Sequence, residues 1–149
     1  MQNDENSLPQ DNEYILDSYA LLAYFEAEPG SDRVKELLIV AKDKKCFLYM
    51  CVVNLGEVMY IIERERGLTA TQETLARIDE LPIGIINADR IVTLAAARLK
   101  KDCPITYADC FAAAAAQLKH AILVTGDPEF NKIKAACNMP IEWLTGQKE

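Results

Sequence analysis

Four acids in this chain are placed where they could do chemistry: Asp17, Glu57, Asp109 and Asp127. Asp17 ends the apolar run Tyr14-Ile15-Leu16, and Asp127 closes Ile122-Leu123-Val124 through Thr125-Gly126. Glu57 lies one turn into the helix after a second apolar run, and Asp109 sits among Ala108, Phe111 and Ala112 near the start of an alanine-rich helix. Each acid also has a local structural reading. Asp17 and Asp127-Pro128 suit helix starts, Asn54-x-x-Glu57 resembles a capping box, and Asp109 could complement a helix dipole. If the first and fourth strands are neighbours, all four converge on the C-terminal edge of the sheet, where open α/β sheets bind ligands. Carboxylates held together repel one another unless cations lie between them. Hard oxygen donors without His or Cys select Mg²⁺ or Mn²⁺. Such a site activates water and stabilises the leaving oxygen in phosphodiester hydrolysis.

Composition removes other chemistries. The only histidine is His120, which closes a helix beside Lys119, and the five cysteines contain no C-x-x-C pair, so zinc is not expected. Cys46, Cys51, Cys103, Cys110 and Cys137 read as free, mostly buried thiols. A net charge of −7 excludes gripping nucleic acid by bulk charge alone, whereas an acidic metal site accounts for part of it. No apolar run is long enough to span a bilayer. Residues 1–12 are polar and read as a flexible tail rather than a secretory signal, so the expected location is cytoplasmic, away from the membrane.

The elements that must position the acids follow in order. Strands are expected at Tyr14–Leu16, Cys46–Cys51, Ile83–Ile86, Ile122–Val124 and Ile141–Leu144. Between them come a short helix to about Glu26, broken at Pro29-Gly30, and a helix capped by Ser31-Asp32 with Val34, Leu37, Leu38 and Ala41 on one face. A helix from Asn54 ends near Gly67, and another runs from Thr71 to about Glu80. Asp89 caps a helix through Lys101, Thr106 or Tyr107 opens the alanine-rich helix, and Pro128 opens a last helix to Ala136. Strands alternating with helices make a parallel sheet covered on both faces: one three-layer α/β/α domain over residues 13–149.

The order of the motifs also matches a family. Asp17-Ser18 after a strand, Asn54-x-x-Glu57, Tyr107-Ala108-Asp109, and Thr125-Gly126-Asp127 followed by Phe130 resemble the PIN-domain ribonucleases. Within them, the size of the chain is similar to that of VapC-type toxins of toxin–antitoxin pairs. The resemblance implies a five-stranded parallel sheet in the order 3-2-1-4-5. It implies metal ligation by Asp17, Asp109 and Asp127, with Glu57 a ligand or water-positioner, and Ser18, Asn54 and Thr125 as polar supports. Glu129 departs from the pattern, since many members carry Asp there.

The expected function is therefore that of a Mg²⁺- or Mn²⁺-dependent endoribonuclease, leaving a 3′-hydroxyl and a 5′-phosphate as the resemblance implies. RNA is the expected substrate, and the resemblance implies an antitoxin protein and a second copy of the chain as partners. Val58, Met59 and Ile62 are expected to be shared between core and dimer interface, and Lys44, Lys45, Arg64 and Arg66 are candidates to hold phosphates. The alternatives are a PIN-fold RNA-processing nuclease without an antitoxin and a non-catalytic α/β module that binds RNA or protein. A receiver domain would need a second acid after Asp17, and a haloacid-dehalogenase-like phosphatase would need Asp at position 19, which is Tyr.

Overall fold

The computed structural model describes residues 12–145, so the expected tail lies, apart from Asn12, outside the described residues. The elements are β1 (Glu13–Leu16), α1 (Ser18–Phe25), α2 (Ser31–Lys42), β2 (Phe47–Cys51), α3 (Val52–Asp79), β3 (Ile83–Ile86), α4 (Arg90–Asp102), α5 (Tyr107–Lys119), β4 (Ile122–Thr125), α6 (Phe130–Cys137) and β5 (Ile141–Trp143). The five strands form one sheet in the order β3-β2-β1-β4-β5, with every pairing parallel. The expected architecture and strand order are both found.

The sheet is buried on both sides because its central strands are apolar at successive positions. Along β1 and β4 the side chains alternate between layers. Ile15 and Leu123 face the core built from α4, α5 and α6, whereas Leu16 and Val124 face the core built from α1, α2 and α3. α5 can lie directly on the sheet because Ala112, Ala113, Ala114, Ala115 and Ala116 present only methyl groups and are all buried. All five cysteines are free thiols and only Cys137 is partly exposed.

Local chemistry sets the ends of the elements. Asp89 accepts a hydrogen bond from the Val92 amide and caps α4. Thr106 does the same for α5 through the Asp109 amide. His120 ends α5 in a left-handed conformation, which places it at the edge where strands begin, away from the acids. α2 is entered through Gly30, not through a Ser31 or Asp32 cap; its φ of 97° is in the left-handed region, and a Cβ there would stand 2.8 Å from Leu144 Cβ. Gly67, with φ 91° and ψ 174°, interrupts α3 where the first of two helices was expected to stop, but the helix resumes at once.

Two expectations are corrected. Val58 and Ile62 are fully buried in the core and leave no surface for an interface; only Met59 of that set is partly exposed. Lys44 and Lys45 precede β2. In a parallel sheet this puts them at the edge opposite the one where β1 delivers Asp17.

The close seat of α5 generates a prediction. Ala114→Leu should cost about 1–3 kcal/mol by overpacking, read as a fall in thermal midpoint, whereas Ala97→Leu on the exposed side of α4 should be close to neutral. Equal midpoints for the two variants would contradict direct packing of α5 on the sheet.

Candidate active site

The β1–β4 pairing builds the centre of the site. Its register sets Leu16 against Val124, so Asp17 and Thr125 leave the sheet side by side. Asp17 is 1% exposed. Its Oδ1 accepts from the Ala20 amide at 2.9 Å, capping α1, and its Oδ2 accepts from the Thr125 hydroxyl at 2.5 Å. The cap and the site position are thus the same residue. Thr125 Oγ1 in turn accepts from the Asp127 amide at 3.0 Å. One threonine hydroxyl therefore fixes the ends of both acid-bearing strands.

Asp127 does not cap α6, which begins at Phe130. Its Oδ1 instead accepts from the Glu129 amide at 3.0 Å, closing a turn across Pro128. Glu129 is exposed and pairs with Lys132 at 2.8 Å. Ser18 donates to Glu57 Oε1 at 2.6 Å, tying α1 to α3.

Asn54 is not a capping residue either. α3 starts at Val52, so Asn54 lies inside its first turn. It is fully buried, and its Nδ2 donates to the Ala108 carbonyl at 3.1 Å. The bond holds the start of α5, and with it Asp109, against α3. Asn54 Oδ1 is the one buried side-chain polar atom without a partner among the described residues. Of the two residues expected to open the alanine-rich helix, Thr106 is its cap and Tyr107 its first residue.

The acids feel one another. Burial pushes the Asp17 carboxyl up to about 8; the Thr125 and Ala20 hydrogen bonds oppose this, and the charges of Asp109 and Asp127 add to it. Asp109, 7% exposed, is pushed up to about 6, first by burial and then by the Asp127 charge, with Glu57 and Glu129 adding to it and Thr106 opposing it. Among the described residues no Lys or Arg forms an ion pair with Asp17, Glu57, Asp109 or Asp127. Two buried carboxyls with no cationic partner leave either protons or an external cation to compensate them.

The donor set fits a hard divalent cation in kind, being all oxygen. Among the described residues, however, no three Asp, Glu, His or Cys side chains stand close enough to hold a metal ion. The carboxylates are turned instead to Ala20, Thr125, Ser18 and Glu129.

The fold has counterparts among known proteins. A family model described as PIN domain matches residues 14–136. Comparison with curated proteins gives no match. Among solved structures, the chain is similar to VapBC2 from Rickettsia felis bound to a promoter DNA fragment, with TM-score 0.70 and 20% identity over 87% of this chain and 97% of that one. VapBC-1 from nontypeable Haemophilus influenzae gives TM-score 0.66 and 18% identity over 89% and 98% of the two chains. VapC20 from Mycobacterium tuberculosis, a sarcin-ricin loop cleaving toxin, gives TM-score 0.65 and 16% identity over 83% and 95%. These likenesses concern the fold.

The uncompensated carboxyls predict how stability depends on pH. Both shifts are upward, so the folded chain binds protons that the unfolded chain, with aspartates near 3.9, has released. With chelator present, the stability contribution of these groups should be intact at about pH 4 and be lost as pH rises through 6 and 8. The thermal midpoint should fall between pH 5 and pH 8.5, and Asp17→Asn should flatten that fall. A wild-type midpoint that rises over the window would contradict the assignment.

Proposed function

We infer the function from one premise: the chain belongs to the PIN domain family. We propose that it is a divalent-cation-dependent endoribonuclease acting as one domain over residues 13–149, and the toxin of a toxin–antitoxin pair. The observation that carries this reading is the burial of Asp17 and Asp109 without a cationic partner, Asp17 within electrostatic reach of Asp109 and Asp127, and Asp109 of Asp127 and Glu57. The β1–β4 edge is the switch point of the sheet, where connections leave in opposite directions.

Asp17, Asp109 and Asp127 would hold the cation, with Glu57 as a further ligand or as the group that orients water. When bound, Mg²⁺ or Mn²⁺ supplies charge neutralisation at the scissile phosphate and a more acidic water. The protein's own contribution is placement. Thr125 and the Ala20 amide fix both oxygens of Asp17, Ser18 orients Glu57, and Asn54 locks the turn that carries Asp109. Without the cation, four acids repel a phosphate backbone, so RNA binding and cation binding should be coupled.

Of the four basic residues considered for phosphate contact, Arg64 keeps that role. Arg66 lies 3.7 Å from Glu26, and the two lysines stand at the far edge. Arg64 stacks over the exposed Tyr60 ring at 5.6 Å. It lies on the same face of α3 as Glu57, two turns along.

The similar VapBC structures support an antitoxin partner, which would cover the acids. An arginine from that partner would be the natural counter-ion. A homodimer would use Ile91 and Leu94, exposed one turn apart on α4. No helix among the described residues is long and apolar enough to cross a membrane, and we assign the protein to the cytoplasm.

The test is cleavage of single-stranded RNA with Mg²⁺ or Mn²⁺. Asp17→Asn, Asp109→Asn and Asp127→Asn should each abolish cleavage with a native circular dichroism spectrum, because Asn keeps the side-chain oxygen that accepts from Ala20 at position 17 and from Glu129 at position 127. Thr125→Val should lose about 10–100-fold, the usual effect of removing a group that orients a ligand. Full activity in an Asn variant would remove that residue from the site. Cleavage undiminished by chelator would overturn the cation-dependent reading.

A further inference from the structure

Tyr19 is the residue at this edge that the proposed function leaves unused. It lies between Ser18, which holds Glu57, and Ala20, whose amide holds Asp17. Its ring rests on Gly126, between Thr125 and Asp127. A Cβ at Gly126 would stand 2.3 Å from Tyr19 Cε1, 2.7 Å from Cζ and 3.0 Å from Cδ1. Gly126 is not among the glycines with positive φ, which are Gly30 and Gly67. A Cβ there would displace the ring, so glycine seats it through space and not through backbone conformation. The seat bridges the two acid-bearing strand ends and leaves the side chain few conformations to lose on binding.

The hydroxyl at the end of this ring is open. Tyr19 is partly exposed, and among the described residues its hydroxyl makes no hydrogen bond within the protein. It is also not among the buried polar atoms lacking a partner, where Asn54 Oδ1 stands alone, so it reaches solvent. The neighbouring hydroxyls are turned inward: Ser18 donates to Glu57 and Thr125 donates to Asp17. Tyr19 is thus left to donate outward from an edge whose other side chains are mainly acceptors. A phenol is a neutral donor suited to phosphate oxygens.

Resting on the nuclease reading above, we propose that the Tyr19 hydroxyl is a substrate-positioning donor, bonding a non-bridging phosphate oxygen of the bound RNA strand. Gly126 serves this role by holding the ring in place. A ring fixed at the edge contributes equally to substrate and transition state if it contacts a phosphate that does not react, and such uniform binding moves KM rather than kcat.

Tyr19→Phe removes one oxygen and keeps the ring on Gly126. With a fluorescent single-stranded RNA and Mn²⁺, the variant should show KM raised about tenfold, the scale of one lost hydrogen bond to a charged group. Its kcat should stay within about twofold and its thermal midpoint should match that of wild type. Wild-type KM in Tyr19→Phe, from a wild-type enzyme that does cleave RNA, overturns this proposal alone. A raised KM accompanied by a lowered midpoint also overturns it, by making the hydroxyl structural. A wild-type protein inert on RNA with either cation overturns the nuclease reading and this proposal together.

Discussion

The rest of the structure depends on one buried carboxyl, that of Asp17. Burying an unpaired charge costs several kcal/mol even after relaxation, and among the described residues no Lys or Arg lies against it. The fold meets this cost only in part, with one amide and one hydroxyl. Both donors exist only because β1 and β4 are neighbours and α1 starts immediately after Asp17. The strand order is therefore part of the site: moving β4 from β1 would strip Asp17 of Thr125 and separate it from Asp127.

The same constraint extends outward through polar links. Ser18 carries it to Glu57, Thr125 to Asp127, and Asn54 to the turn before Asp109. Behind these links the support is apolar. The methyl groups of α5 seat that helix on the sheet, which brings the Asp109 carboxyl close enough to feel Asp127 and Glu57. The arrangement stores repulsion at one edge, and a cation or protons relieve it. In a chain of net charge −7, a cation taken up at that edge would also offset part of the charge that repels the proposed RNA substrate.

The sheet and its acids were legible in the sequence because both signals are local. Apolar runs ending in Asp17 and in Thr125-Gly126-Asp127 mark buried strands opening onto helices, and the residue types alone name the donor chemistry. The misreadings came where a local pattern competes with tertiary placement. Asn54-x-x-Glu57 reads as a capping box, yet α3 begins at Val52 and Asn54 is needed by the distant Ala108 carbonyl. Asp127-Pro128 reads as a cap with proline in the first turn, yet Asp127 closes its own turn and α6 begins at Phe130. Val58 and Ile62 were assigned partly to an interface because hydrophobicity does not say which side of a helix meets the core. The Tyr19–Gly126 contact joins segments far apart in the chain, and only their adjacent strands bring them together.

On the proposed reading, these acids form one cation site whose Asp17 carboxyl holds a proton until the cation arrives. The most direct measurement is calorimetric titration of the apo protein with Mn²⁺ at pH 7 in buffers of different ionisation enthalpy, which counts protons released on binding. With Asp17 pushed up to about 8, binding should release about one proton per protein at pH 7. Release should fall towards zero at pH 9 and in Asp17→Asn. Saturable Mn²⁺ binding with no proton release at pH 7, or release unchanged in Asp17→Asn, would contradict the claim.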